Sequence, residues 1–253
     1  MTPSRRLRDI ANRFPEQIAF RDKRFGIWNE MSYKDFWMEV QYVGCALNYF
    51  GIQKTEKVAI HSENRPEWLI ADIGVQAIGG ITVGLYPTNP PAEVQYLLSH
   101  SESKILFAED QEQVDKALEV LDEVPNLSKI IYFEEKGLFR YDSEKLMRWD
   151  DFLEIGKEEY EKNKDFVNFC IDEIKSEDVA LMIYTSGTTG PPKASMLSHG
   201  NMEWTASIIP DLSFTPNISN PEYLSYLPLC HVFGRLVDEI IAINSIGLSL
   251  IHI

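Results

Sequence analysis

Cysteine is sparse in this chain of 253 residues, with three in all. Cys45, Cys170 and Cys230 stand far apart and form no Cys-x-x-Cys pair. That excludes a disulfide framework and a cysteine-built zinc site, and fits a reducing, cytoplasmic setting. His61, His100 and His199 have no partner at metal-ligand spacing, so no metal site is read and these histidines are expected to be structural. Positive charge is also short: 24 Lys and Arg against 39 Asp and Glu give a net charge of -15. A field of that sign repels polyanions and excludes nonspecific attraction to nucleic acid or an anionic membrane surface. The acid excess itself reads as a solvated surface. Long apolar runs are missing too, since no window reaches the roughly 20 residues that a spanning helix needs. Arg5, Arg6 and Arg8 are followed by an amphipathic pattern (Leu7, Ile10, Ala11, Phe14) and not by the core of a signal peptide. Any membrane contact is therefore peripheral, at the inner face. Internal repeats and low-complexity segments are absent.

What is present is a rhythm. Phe36, Val40, Val43, Leu47 and Phe50 recur at steps of three and four and predict a helix from Tyr33 that ends at Gly51. Short β-rich runs then alternate with helical patterns: strand 57–60, helix 66–78, strand 80–86, helix 91–100, strand 104–108, helix 111–123 and strand 129–133. This alternation predicts an α/β fold, a largely parallel sheet flanked by helices. Asn64 and Pro66 suit a helix start, and Gly79 and Gly80 a stop. Residues 134–177 are rich in Glu, Lys and Asp, with a surface helix expected over 151–163. From Val179 to Tyr184 an apolar strand enters a loop of small residues. Further on, SYLPLCH reads as a strand, with a helix behind it marked by Val232, Leu236, Val237, Ile240 and Ile241.

The loop carries the chemistry. Between Thr185 and Lys193 stand four hydroxyl residues (Thr185, Ser186, Thr188, Thr189), two glycines (Gly187, Gly190) and the lysine. Glycine lets successive backbone N–H groups converge and leaves room for an oxyanion, hydroxyls add adjustable donors, and lysine adds a compact positive charge. Hydrogen bonds to a charged partner contribute about 1.5–3 kcal/mol each, so a few local donors can hold a polyphosphate against the unfavourable global field. The Walker loop does not fit, because Ala194 follows Lys193, and neither does a serine-hydrolase elbow, which would need glycine where Tyr184 stands.

YTSGTTGPPK, followed by MLSHGN, resembles the phosphate-binding signature of the adenylate-forming (AMP-binding) enzymes: acyl-CoA synthetases, firefly luciferase and peptide-synthetase adenylation domains. The resemblance covers nearly the whole chain. SYKDFWMEV is similar to an early helix of that family, VGLYPTNPPAEVQYLLSHSESKILFAED to a core segment, and YLPLCHVFGR to the motif whose histidine or aromatic residue lines the acyl pocket. LYPT, the Glu-Asp after strand 104–108 and His-Val-Phe-x-Arg are most similar to the bacterial long-chain fatty-acid–CoA ligase branch. The resemblance implies an incomplete N-terminal domain of the adenylate-forming fold over residues 1–253, with the phosphate loop at 184–193 and without the small C-terminal domain. It implies that a carboxylic acid, a long-chain fatty acid in this branch, attacks magnesium-bound ATP, and that coenzyme A then displaces AMP from the acyl adenylate. Thr185, Ser186, Gly187, Thr188, Thr189, Gly190 and Lys193 would hold the β- and γ-phosphates and then pyrophosphate. His231 would border the place where carboxylate and α-phosphate meet, as the catalytic candidate. Ala194 departs from a usual glycine, and Gly234 from a common glutamate.

Other readings remain beside these. The nearest is a synthetase for short, aryl or amino acids; a non-catalytic binding protein of the same fold is another. Cys230 beside His231 is not expected to form a nucleophilic dyad, because neighbours on an extended strand face opposite ways. Arg65 and Trp68 read as helix-start packing, and Glu158, Glu159 and Glu161 as a solvated helix face. Family segments at the adenine, the ribose and the hinge find no match between Leu236 and Ile253. LSLIHI, residues 248–253, coincides with the translation of a transposon-end adapter, so those residues are expected to be foreign, with a strand-like pattern all the same. Residues 1–253 alone are therefore expected to show no fatty-acid-dependent ATP–pyrophosphate exchange above the blank; exchange well above it would overturn that expectation.

Overall fold

The computed structural model describes residues 1–185, 190–208, 222–245 and 248–251. The chain opens with α1 (Pro3–Arg13), the strands β1 (Ile18–Arg24) and β2 (Ile27–Ser32), and α2 (Tyr33–Tyr49). It continues through β3 (Lys57–His61), α3 (Pro66–Ala77), β4 (Ile81–Leu85), α4 (Pro91–Ser101), β5 (Ile105–Ala108), α5 (Gln111–Glu119), β6 (Lys129–Tyr132) and β7 (Leu146–Arg148). Two helices, α6 (Trp149–Lys162) and α7 (Phe166–Asp172), lead to β8 (Val179–Thr185), β9 (Lys193–Ser198) and α8 (His199–Ile208). After β10 (Glu222–Leu224) come α9 (Val232–Arg235), a π-helical turn at Leu236–Ile241, α10 (Ala242–Ser245) and β11 (Leu248–Ile251).

Two sheets organise these elements. The larger has seven strands in the order β7-β6-β5-β3-β4-β8-β9. All its neighbours pair parallel except β8 and β9, which form an antiparallel hairpin. The central strands KVAIH, ITVGL and ILFA are buried almost throughout, as expected of parallel strands covered on both faces. On one face α1, α2, α3, α6 and α7 pack a large apolar cluster around Phe36, Val40, Trp68, Phe107 and Phe152. On the other, α4 and α5 supply Val94, Leu97, Leu98, Val114 and Ala117. The second sheet has four strands in the order β10-β11-β1-β2, with β11 parallel to both β1 and β10.

Local chemistry explains the boundaries. Ser32 caps α2 by accepting from Asp35 N, and Asp110 caps α5 by accepting from Glu112 N and Gln113 N. Pro66 and Pro91 occupy first helical positions, where a missing N–H costs nothing. Among the described residues no helix is long and apolar enough to cross a membrane.

Most predicted elements lie where the periodicity places them, within one or two residues. The differences have physical reasons. The helix expected over 111–123 ends at Glu119 and passes into a separate 3₁₀ turn at Leu121–Glu123. SYLPLCH is not a strand: only Glu222–Leu224 pairs, and residues 225–231 turn away because their polar groups bond to Asn64. After the loop, Lys193–Ser198 forms a strand on the open edge of β8.

The tightest packing on the α-face is between α2 and α6. Gly156 of α6 lies so close to α2 that a Cβ would collide with the Tyr42 carbonyl, which is backbone and cannot swing aside. Gly156→Ala is expected to force the helices apart and lower stability by about 1–3 kcal/mol, seen as a fall of several degrees in the denaturation midpoint; an unchanged midpoint would contradict this close approach.

Candidate functional site

β4 and β8 lie side by side and parallel, with Gly84 opposite Ile183, so their carboxyl ends open at the same edge of the sheet. Ligands of open α/β sheets bind there, outside the strand ends. A cleft of about 480 Å³ occupies the place, lined by Gly84, Tyr86, Thr88, Asn89, Tyr184, Thr185, Pro192 and His231, with Glu93 and Leu97 of α4 as one wall. The chain returns from the cleft as β9, placing Lys193 opposite Thr185 and Ala194 opposite Tyr184. Both arms of the predicted phosphate loop therefore end at the cleft.

The loop residues fall into two groups. Ser186, Gly187, Thr188 and Thr189 lie outside the described residues. Thr185 is exposed on the cleft. Gly190 has φ +93 with open space where a Cβ would sit, so the demand for glycine there is conformational. Lys193 is exposed and forms no ion pair among the described residues, leaving its charge available. Ala194, at the position of a usual glycine, packs its methyl group against the cluster that contains Leu85 and Met182.

His231 reaches the same cleft by a different route. Asn64 pins the segment before it: its amide donates to Ser225 Oγ at 2.9 Å and to the Leu227 carbonyl at 2.7 Å, and its carbonyl accepts from Leu229 N at 2.9 Å. Gly84 then allows Cys230 to lie on the end of β4, since a Cβ there would come within 2.8 Å of Cys230 Cα. His231 is exposed and caps α9, its Nδ1 accepting from Phe233 N at 3.2 Å. That bond leaves Nε2 as the proton-bearing nitrogen of the neutral ring. Cys230 is buried, and burial pushes its thiol up to about 12, so it stays protonated beside the exposed histidine. Gly234 has a structural reason of its own, for any side chain there would strike the carbonyls of Leu227 and Pro228.

A buried ionic cluster, not anticipated from the sequence, fixes this segment to α3. The Arg235 guanidinium donates to Asp72 at 2.6 Å and to the Leu229 carbonyl at 3.1 Å, and lies over the Trp68 ring at 4.6 Å. Glu239 stands 3.7 Å from the same guanidinium and accepts from Gln76 at 2.8 Å. Arg235, Asp72, Gln76 and Glu239 are all essentially inaccessible to solvent. Two carboxyls thus compete for one cation. Asp72 holds the short contact, while burial and the Asp72 charge push Glu239 up to about 8, so Glu239 carries a proton at neutral pH. Arg65 also exceeds its expected packing role: it is buried and paired with Glu67 at 2.9 Å and Glu134 at 2.8 Å, over the Phe133 ring. The signal for these partners was weak, since residues 163 apart in sequence meet in the Arg235–Asp72 pair.

The three histidines expected to be structural are not brought together. His61 is buried and its Nε2 donates to the Tyr86 carbonyl at 3.1 Å, burial holding it down to about 4. His199 is likewise buried and held down to about 4, and His100 bonds the Tyr184 hydroxyl. Glu161 is exposed and pairs with Lys164, while the half-buried Glu159 pairs with the exposed Lys162.

A largely parallel sheet flanked by helices, with Thr185 and His231 on one cleft at its strand ends, defines an α/β domain. The family described as AMP-binding enzyme matches residues 7–250, and the chain belongs to it. It is similar to long-chain-fatty-acid–CoA ligase ACSBG2 of Xenopus laevis, 31% identical over 91% of this chain and 31% of that protein. The human ACSBG2 ligase is also 31% identical, over 94% of this chain and 35% of its own length. The chain thus spans about a third of the length of these curated relatives. Among solved structures, a fatty acyl CoA synthetase of Mycobacterium tuberculosis superposes with a TM-score of 0.76 at 19% identity, covering 98% of this chain and 44% of that one. A mutant form of coronafacic acid ligase from Pectobacterium brasiliense gives 0.80 at 17% identity, covering 100% and 46%.

The ionic cluster makes a pH prediction. Glu239 is raised in the folded chain above its ordinary 4.5, so the folded state binds a proton that the unfolded state has released, and stability falls as pH rises between these values. Glu239→Gln removes that titration and is expected to flatten the loss of stability between about pH 5 and pH 8 relative to the parent chain; parallel stability–pH curves for the two would contradict a protonated Glu239.

Proposed function

We propose that this chain forms the phosphate- and carboxylate-handling part of an ATP-dependent acid–thiol ligase that activates a long-chain fatty acid. In the first step a carboxylate oxygen attacks the α-phosphorus of ATP, the bond to the β-phosphate oxygen breaks, and pyrophosphate leaves. In the second, the thiolate of coenzyme A attacks the acyl carbonyl and AMP leaves. The observation that carries the reading is the meeting of Thr185 and His231 on one cleft at the carboxyl ends of β4 and β8. Lys193, opposite Thr185, supplies the cation that the β- and γ-phosphates need in a protein of net charge -15. Ser186 to Thr189, with Gly190, supply the remaining donors in this reading.

His231 acts through Nε2, the nitrogen left as donor by the Phe233 bond. It would orient the carboxylate or stabilise charge on the α-phosphate as the pentacoordinate centre forms, an effect confined to the transition state. Magnesium fits as a companion of the substrate. Magnesium characteristically rides on nucleotide phosphates with few protein ligands. The preference for fatty acids rests on the similarity to long-chain-fatty-acid–CoA ligases; a panel of fatty, aryl and amino acids tested with coenzyme A decides it.

In an enzyme that carries this chain at the length of its relatives, Lys193→Ala is expected to lower acid-dependent ATP–pyrophosphate exchange by about 10²-fold. His231→Ala should slow adenylate formation with little change in thermal midpoint, because its side chain is exposed. Normal exchange in a folded Lys193→Ala protein would remove the phosphate assignment, and normal adenylate formation with a collapsed midpoint would return His231 to a structural role.

A further inference from the structure

We propose that Tyr96 and His100 of α4 are positioning residues that clamp the two arms of the 185–193 loop, at Pro192 and Tyr184, and so hold the neighbouring phosphate donors Lys193 and Thr185 in place. The inference rests on the phosphate reading of that loop. The two residues are four apart on one helix, so they share a face. Tyr96 Oη donates to the carbonyl of Pro192 at 2.9 Å, on the arm that becomes β9. His100 Nδ1 is hydrogen-bonded to Tyr184 Oη at 2.7 Å, on the arm that ends β8. The rings of Tyr96 and His100 lie 5.4 Å apart, and those of His100 and Tyr184 meet edge-on at 5.6 Å, so the contacts form one continuous chain from arm to arm.

The helix can serve as a fixed reference because Val94, Leu97 and Leu98 bury its opposite side against the sheet. Its Glu93 and Leu97 already form a wall of the cleft. The loop sequence, by contrast, holds glycines, hydroxyls and prolines and has no large apolar residue with which to anchor itself. Convergent N–H and O–H donors favour an oxyanion only if they are held before it arrives. Tyr184 is 8% exposed, and burial pushes its hydroxyl up to about 12, so it remains a neutral partner for His100 across the working range of pH.

Core packing alone would make the rings matter and the polar atoms not, and the test separates the two. In the 253-residue chain, amide hydrogen exchange is followed at residues 182–185 and 193–197, with binding of inorganic pyrophosphate measured by equilibrium dialysis. Tyr96→Phe keeps the ring and removes the bond to Pro192; it is expected to speed exchange at the 193–197 arm and weaken pyrophosphate binding by about tenfold, the value of one hydrogen bond of ordinary strength. His100→Ala should do the same at the 182–185 arm, and His100→Asn, which returns a polar group near the Nδ1 position, should restore it. Unchanged exchange in both Tyr96→Phe and His100→Ala, or a loss in His100→Ala that Asn does not repair, overturns the clamp. If His100→Ala does not fold, Tyr96→Phe decides alone. If the parent chain fails to bind pyrophosphate while the exchange changes occur, the clamp stands and the phosphate reading falls.

Discussion

The approach of the 225–235 segment to the sheet depends on one buried cation. Arg235 sits between Asp72 and the Trp68 ring with essentially no exposure, and it also binds the Leu229 carbonyl next to the site. Desolvating a guanidinium is costly, and a buried ion pair is weak grounds for net stability when compared with an apolar substitute. Its consequence here is geometric. An unpaired Arg235 or Asp72 at that depth would cost about 3–5 kcal/mol, so arrangements that separate α3 from the 229–235 segment are disfavoured. His231 inherits its position from that restriction and from the three bonds of Asn64.

Global charge and local chemistry oppose each other in this chain. A net charge of -15 repels phosphate at long range, yet several acids near the strand ends are already neutralised. Glu67, for instance, is shared between Arg24 at 2.6 Å and Arg65 at 2.9 Å, and these cations hold it down to about 2 against the effect of burial. Lys193 has no carboxylate bound to it among the described residues and stands opposite Thr185 of the cleft, where the proposed function would use it for a polyphosphate. In the proposed site it is position, beside the cleft and free of an acidic partner among those residues, that would make this lysine useful.

The helices and parallel strands were legible because their signals are local. The alternation of KVAIH, ITVGL and ILFA with amphipathic segments sits within stretches of a few residues, and Asp110, Pro66 and Pro91 mark starts by their own chemistry. Composition and the surrounding motifs singled out the 185–193 loop and His231, and the structure brings Thr185 and His231 to one cleft. What could not be read depended on distant partners. SYLPLCH has the alternation of a strand, but three bonds from Asn64, more than 160 residues earlier, give its backbone a better alternative. Arg235, Asp72 and Glu239 look like ordinary surface charges in sequence, because nothing local says that they will be buried together.

Asn64 also bears on the order in which the molecule can assemble. Strands β3 to β7 are drawn from one continuous stretch, Lys57 to Arg148, in which β3 and β4, β5 and β6, and β6 and β7 follow one another directly in sequence and β3 meets β5 past the intervening β4. Contacts of that range close at modest entropic cost and form early. The bonds from Asn64 to Ser225, Leu227 and Leu229 must wait for residues synthesised much later. During translation the sheet can therefore stand complete around β3 while the cleft does not yet exist, its histidine still within the ribosome. Any ligand of the cleft would meet a folded scaffold before it met the cleft itself.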